Sequence, residues 1–415
     1  MRSKFPDGFY FGAATASHQV EGGNKNDWTE WEHANARRLS QIADRKSWEP
    51  FILKGYPNPL QEENYISGNA CDHYHRYEED FDIAKSLCHN AHRFSIEWSR
   101  IEPEEGKFDE KEVGHYRGVV RALRARGMEP FATLWHWTLP LWFVKKGGWV
   151  NKDSAQAFAR YAEHMCQALP EVHKWITLNE PNVYTGHGYW RGIWPPGKRS
   201  LRQYFSANYH LSQAHILAYR KIKACDKNSQ VGIAQNLVWF TRTFSGIKRF
   251  VYNHLFLRSI RDHQDFIGVN YYHSDRATAR RSEFQNWPID PEGLTAVILE
   301  MKRYGKPVYV TENGIADVRD TERGAFIKSH LQAIMEALRN GADVRGYLYW
   351  SLLDNFEWSS GFWPRFGLVE INYKTLERKI RPSAFAYKDI IENGLPNKEP
   401  FPPEADPPSA EVIGH

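Results

Sequence analysis

This chain contains no apolar run long enough for a transmembrane helix and no Asn-x-Ser/Thr sequon. The first absence excludes a helical membrane protein, and the second leaves no sign of a glycosylating pathway. Its opening residues, Met1-Arg2-Ser3-Lys4-Phe5-Pro6, lack the apolar stretch of a secretory leader, so a cytoplasmic location is expected. Cysteine is scarce: Cys71, Cys88, Cys166 and Cys225 are widely spaced and form no Cys-x-x-Cys pair. Free thiols in a reducing compartment are expected, with a Cys71–Cys88 bridge as the alternative. No charge of one sign dominates. Against 54 basic residues stand 50 acidic ones, and a net +4 is too balanced to argue for nucleic acid or an anionic membrane surface. There is no G-x-G-x-x-G turn and no His/Cys/carboxylate cluster with metal-ligand spacing, so no cofactor and no metal are expected. The stretch Asp72-His73-Tyr74-His75 reads as the start of a surface helix.

Aromatic residues are abundant: 16 Trp, 21 Tyr and 23 Phe. Most belong in the core, but those near strand ends are candidates for stacking on flat apolar ligand faces, and sugars present such faces. Two strand ends also carry glutamate. Pro307-Val308-Tyr309-Val310-Thr311 reads as a buried strand that delivers Glu312 and is stopped by Asn313-Gly314 turn chemistry. His173-Lys174-Trp175-Ile176-Thr177-Leu178 is followed by Asn179-Glu180-Pro181, where the proline ends the strand. A carboxylate at the mouth of a buried strand loses water, which costs free energy unless the group is paired or used. Either glutamate alone reads as an ion-paired strand terminus. Two on one scaffold are the simplest equipment for cleaving a glycosidic bond.

The rest of the chain alternates. Strands are expected at 9–14, 91–96, 128–134, 173–178, 230–235, 265–272, 307–312 and 346–352, and helices at 72–87, 110–126, 154–168, 203–225, 293–304 and 323–340. Eight strands alternating with helices imply a parallel α/β sheet. In a chain of this length they imply a single (β/α)8 TIM barrel with elaborated βα loops, its site at the C-terminal strand ends. A doubly wound open sheet is the alternative. Residues 1–392 read as the barrel domain, with 31–68 an elaboration over its mouth. Residues 393–415 are Pro-rich and polar, and a mobile tail is expected there. Arg93 lies inside an apolar run and needs an anionic partner, either a strand-end carboxylate or a helix residue. Gln19 is a loop amide or a donor-and-acceptor for two neighbouring hydroxyls. His136, between Trp135 and Trp137, is a further strand-end candidate.

Thr177-Leu178-Asn179-Glu180-Pro181, Thr311-Glu312-Asn313-Gly314 and Tyr349-Trp350-Ser351-Leu352-Leu353-Asp354-Asn355-Phe356-Glu357-Trp358 resemble signatures of the glycoside hydrolase family 1 β-glycosidases. Phe11-Gly12-Ala13-Ala14-Thr15-Ala16-Ser17, Arg93-Phe94-Ser95, Asn270-Tyr271-Tyr272 and Arg365-Phe366-Gly367-Leu368 are similar to that family too, in the right order. The resemblance implies roles. Glu312 matches the nucleophile and Glu180 the acid/base of a retaining double displacement, which wants the two carboxyl groups roughly 5–5.5 Å apart. Arg93 and Tyr272 match groups that hold the nucleophile ionised, with Asn270 in support. Asn179 matches the group that bonds the sugar 2-OH. Gln19, His136, Glu357 and Trp358 match contacts to the non-reducing sugar; Trp350 would stack beneath the ring and Phe366 would close the pocket. Trp287 resembles an aglycone-side residue, with core packing as an equal alternative.

The same resemblance excludes relatives and marks departures. An anionic Glu357 would repel the phosphate of 6-phospho substrates, and a Glu at position 180 disfavours the thioglucosidase branch. The segment 236–264 is shorter than the family usually has, which implies an open leaving-group side that tolerates bulky or long aglycones. Ser17-His18-Gln19 has His where Tyr is more usual. The implied activity is that of a β-glucosidase-type O-glycosyl hydrolase: a retaining exo-β-glycosidase acting on terminal non-reducing β-D-glucosyl, galactosyl or fucosyl residues of small-molecule β-glycosides or oligosaccharides. A transglycosidase, a β-mannosidase and a non-catalytic carbohydrate-binding barrel are the alternatives. The sequence leaves the oligomeric state open.

Overall fold

The computed structural model describes residues 2–277 and 280–396. Short runs of β-branched, aromatic and small residues form eight central strands: β1 Tyr10–Ala14, β2 Ala91–Ser95, β3 Glu129–Trp135, β4 Lys174–Asn179, β5 Gln230–Asn236, β6 Phe266–Asn270, β7 Val308–Glu312 and β8 Val344–Trp350. They pair in chain order, all parallel, and β8 closes onto β1. This is the (β/α)8 TIM barrel that the alternation predicts; the doubly wound open sheet is excluded.

Helices cover the outside because their apolar stripes match the barrel surface. In the helix Glu110–Ala125, Asp109 accepts from the backbone N–H of Lys111 at 2.9 Å and fixes the start, while Val113, Tyr116, Val119, Val120 and Leu123 are buried along one face. The interior is filled in the N-terminal half by Tyr10, Phe131, Phe266, Tyr309 and Leu348. The Phe131 and Phe266 rings both meet the Tyr309 ring at 5.2 Å, edge-on. This packed layer plugs the barrel and leaves open only the end where the strands terminate.

Residues 31–68 have a definite use. The helix Asp27–Ala43 carries the buried Glu32, which accepts from the backbone and hydroxyl of Ser67 at 2.9 and 2.7 Å and pairs with His18 at 2.6 Å. Asn64 then accepts from the backbone of Phe362 and of Trp363, each at 3.0 Å. The elaboration therefore braces the loop after β8 at the barrel mouth.

Other expectations fare variously. All four thiols are free, so no Cys71–Cys88 bridge forms, and Cys71 donates to the Asp354 carbonyl at 2.9 Å. His73 is not a surface residue: it is buried against Asp80 at 2.7 Å, while His75 is exposed. Among the described residues no helix is long and apolar enough to cross a membrane. The tail expected from 393 begins later: Asn393 ends a helix and Leu395–Pro396 pair with Arg2–Ser3, while the rest of it lies outside the described residues. The reading also missed the short antiparallel pair Val369–Ile371 and Arg378–Ile380 and the helix Pro382–Asn393.

Gly314 follows β7 for a reason other than the turn chemistry expected of Asn-Gly. Neither Asn313 nor Gly314 has a positive φ. A Cβ at Gly314 would instead lie 1.8 Å from the Trp350 carbonyl oxygen, where the ends of β7 and β8 converge. Gly314→Ala is expected to force those ends apart and destabilise the barrel by about 1–3 kcal/mol. A calorimetric Tm equal to wild type would show that the strands part without cost.

Candidate active site

The strand ends surround a cavity of about 380 Å³, within the range of small-molecule sites. Glu180 and Glu312 both line it. Glu312 is the last residue of β7 and Glu180 directly follows β4. Glu180 adopts a left-handed backbone, φ 43° and ψ 58°, just before the helix begun by Pro181. A non-glycine residue pays for such a conformation with strain of about 1–3 kcal/mol, and here it turns the carboxyl into the cavity.

Arg93, on β2, organises the floor. It is 1 % exposed. Its guanidinium donates to Thr133 Oγ1 at 3.0 Å, to the Thr311 carbonyl at 3.2 Å, to Asn179 Oδ1 at 2.6 Å and to Glu312 Oε1 at short range. The anionic partner is thus the strand-end carboxylate. Tyr272 donates to the other Glu312 oxygen at 2.6 Å.

Glu180 has different company. Its Oε1 accepts from Asn270 Nδ2 at 2.8 Å and Asn236 Nδ2 at 3.2 Å, and it forms no ion pair among the described residues. Burial, then the like charge of Glu312, push its carboxyl up to about 8. Asn270 is itself aligned by Thr311, whose hydroxyl donates to Asn270 Oδ1 at 2.7 Å. Asn179 stands behind the cavity wall: its oxygen also accepts from Asn270 at 3.1 Å, and its amide nitrogen gives to His136 Nε2 at 3.0 Å. Accepting there leaves the proton of His136 on Nδ1, which has no partner. Burial, with Arg93 and His18 nearby, lowers the His136 pKa far below the usual value, so the ring is neutral.

The deep end of the cavity is lined by Gln19, Trp350, Glu357, Trp358 and Phe366. Gln19 departs from the expected donor-and-acceptor use. Its Nε2 is consumed by Asn355 Oδ1 at 2.9 Å and the Phe356 carbonyl at 2.8 Å, and only its Oε1 is unpartnered. Trp350 donates from Nε1 to Glu357 at 3.1 Å. Burial pushes the Glu357 carboxyl up to about 8. That shift weakens the negative charge on which the expected repulsion of phosphate rests. Trp358 is wedged among Trp28 at 4.6 Å, Trp137 at 4.8 Å and His18 at 5.6 Å, ring centre to ring centre.

Trp287 lines the outer cavity, stacked on His273 at 5.1 Å, rather than sitting in the core. Two polar residues there escaped the sequence reading. Tyr252 donates to Asn236 Oδ1 at 3.0 Å, so Asn236 presents its Nδ2 to Glu180. Tyr252 lies on a π-helical turn, Phe250–His254, inside the shortened segment. Asn236 ends β5, and its strand-end position was the available signal; nothing local points to Tyr252.

The profile of Glycosyl hydrolase family 1 matches residues 1–245 and 277–395. The chain is 32% identical to β-glucosidase A of Thermotoga maritima, over 94% of this chain and 98% of that protein. It is 32% identical to a β-galactosidase of Sulfolobus acidocaldarius, over 95% and 96%. Among solved structures it superposes on a β-glycosidase from Pyrococcus horikoshii with a TM-score of 0.84 and 35% identity, covering 96% of this chain and 99% of that one. The Thermotoga maritima β-glucosidase in complex with deoxynojirimycin gives 0.82 and 30%, covering 95% and 99%.

Two causes hold the Glu180 proton, and they are separable. Glu312→Gln removes the like charge and leaves the burial. Glu180 is then expected to titrate below about 8 yet above the ordinary carboxyl value, as read by carboxyl ¹³C NMR. An unchanged titration would show that Glu312 exerts no charge on it.

Proposed function

The chain belongs to glycosyl hydrolase family 1 and is a glycosidase, and on that premise we propose a retaining exo-β-glycosidase that acts first on terminal β-D-glucosyl residues and also on galactosyl and fucosyl ones. The observation that carries this reading is the opposite furnishing of two carboxyls in one cavity. Glu312 meets a guanidinium and a phenol, whereas Glu180 is buried without a cation and holds its proton.

The steps follow from that asymmetry. A sugar seated at the deep end offers its anomeric carbon to Glu312, which attacks as a carboxylate. Glu180 gives its proton to the departing glycosidic oxygen. Bond formation removes the negative charge of Glu312, so the Glu180 pKa falls and the residue can take a proton from water. Water then releases the sugar with its original anomeric configuration. The unpartnered Gln19 Oε1 and the His136 Nδ1–H supply an acceptor and a donor for ring hydroxyls, Trp350 forms the stacking face and Glu357 bonds two hydroxyls at once. The contact to the 2-OH falls to Asn179, whose amide Arg93 and Asn270 hold in place. Trp287 and Tyr252 line the leaving-group side and favour apolar or extended aglycones. The four free thiols support a cytoplasmic setting, and no cofactor or metal enters any step.

Wild type is expected to hydrolyse p-nitrophenyl β-glucoside. Glu312→Ala should lose activity by about 10⁴-fold or more, and azide should restore it by forming the α-glycosyl azide. Turnover that survives Glu312→Ala would move the nucleophile elsewhere, and no turnover by folded wild type would leave a binding barrel. Because Glu180 must start protonated, kcat/KM is expected to hold at neutral pH and fall above about pH 8. A basic limb that persists unchanged in Glu180→Gln would assign the proton to another group.

A further inference from the structure

The overall charge balance hides a local imbalance. Residues 181–261 contain thirteen Lys and Arg against a single acid, Asp226, a local +12 in a chain whose total is +4, so the remainder carries −8. Asp226 sits at the far end of the helix Leu201–Cys225, away from the strand-end side. Acids from elsewhere in the chain pair some of these cations, Glu163 with Lys221, Asp265 with Lys223 and Glu300 with Arg249, so the surplus on this face rests on those left unpaired.

The same face holds most of the large apolar side chains that the described residues expose. On the helix Leu201–Cys225, Leu201, Phe205 and Tyr209 recur every fourth residue and are 53 to 60 % exposed. On the neighbouring helical segment 245–259, Ile247, Val251 and Leu255 repeat the spacing, with Phe244 at its start 72 % exposed. The two are in contact through Leu255–Ser259. Trp190, 56 % exposed, joins them to the cavity it lines, and its ring meets Tyr204 at 5.8 Å. Arg202, Arg242 and Lys248 rise exposed among these side chains and form no salt bridge among the described residues. Contiguous exposed apolar surface of this kind marks an interaction site.

We propose that this face docks on an anionic lipid bilayer, with Trp190 at the boundary between membrane and cavity mouth. Aromatic and aliphatic side chains on two adjacent helices that carry no acid of their own, interleaved with cations and bordered by the single carboxylate of Asp275 at Thr241, match an interface of acyl chains below anionic headgroups. A second copy of the chain fits poorly, because a two-fold contact would set the positive face against itself. The apolar stripes lie on the outer faces of the helices, so they suit a planar partner. Glycosides with lipid aglycones would then reach the cavity from the membrane. That corollary rests on the proposed glycosidase activity; the docking does not.

The full chain is sedimented with vesicles of phosphatidylcholine alone and with about 30% phosphatidylglycerol, at low and at physiological ionic strength. Binding is expected to the anionic vesicles and to weaken with salt. The double variants Phe205→Ser/Ile247→Ser and Arg202→Gln/Lys248→Gln should each reduce it about tenfold or more, with p-nitrophenyl glucoside turnover kept at the wild-type rate. That turnover reads the catalytic proposal separately. Wild type that stays in the supernatant overturns the proposal. So does binding indifferent to the apolar pair, which would be bare electrostatic adsorption. A dimer in light scattering that Phe205→Ser/Ile247→Ser converts to monomer would assign the face to a second copy and overturn it as well.

Discussion

A buried guanidinium is the constraint on which the site depends. Arg93 is almost fully removed from water, and an unpaired cation there would cost several kcal/mol. It is tolerated because three strands bring it four partners: Thr133 from β3, Asn179 from β4, and Thr311 with Glu312 from β7. Those partners are thereby fixed in place. Asn179 cannot rotate without losing Arg93, and through Asn179 the imidazole tautomer of His136 is set. Through Asn270, which bonds both Asn179 and Glu180, the same cation is linked to the second carboxyl. A change at Arg93 would disturb the ends of β3, β4 and β7 at once.

The second organising element is the aromatic wall. Trp358 is held by Trp28, Trp137 and His18, and Trp28 belongs to the helix that begins the 31–68 elaboration. Glu32, through Ser67 and His18, and Asn64, through Phe362, anchor that elaboration. The wall that faces a ligand is thus positioned from a segment whose sequence looks like surface decoration.

What was legible in the sequence was what is local. The strands are short β-branched runs, and a buried run leaves a clear boundary at the polar residue that ends it. Glu180 and Glu312 were readable for that reason, and so was the need of Arg93 for an anion. What was not legible depends on contacts distant along the chain. The brace from Asn64 to Phe362 spans 298 residues. The donor of Gln19 is used by residues 336 and 337 positions away. Tyr252 lies on helical turns interrupted by a π-helical turn, with apolar residues facing outward, so the usual inward stripe is missing. The upward shift of the Glu357 carboxyl comes from its burial, which no residue identity records. Gly314 was noticed for its turn preference and is required for a close approach between strands.

The aromatic plug beneath the cavity has a further consequence. Tyr309 and the rings packed on it close the lower half of the barrel, so among the described residues the cavity has no rear exit. Traffic through a dead end is last in, first out. The fragment nearest the opening must depart before any incoming molecule can approach the buried one, and the buried one leaves only after that. A molecule lodged at the closed end bars that position to the next arrival until it leaves by the way it came.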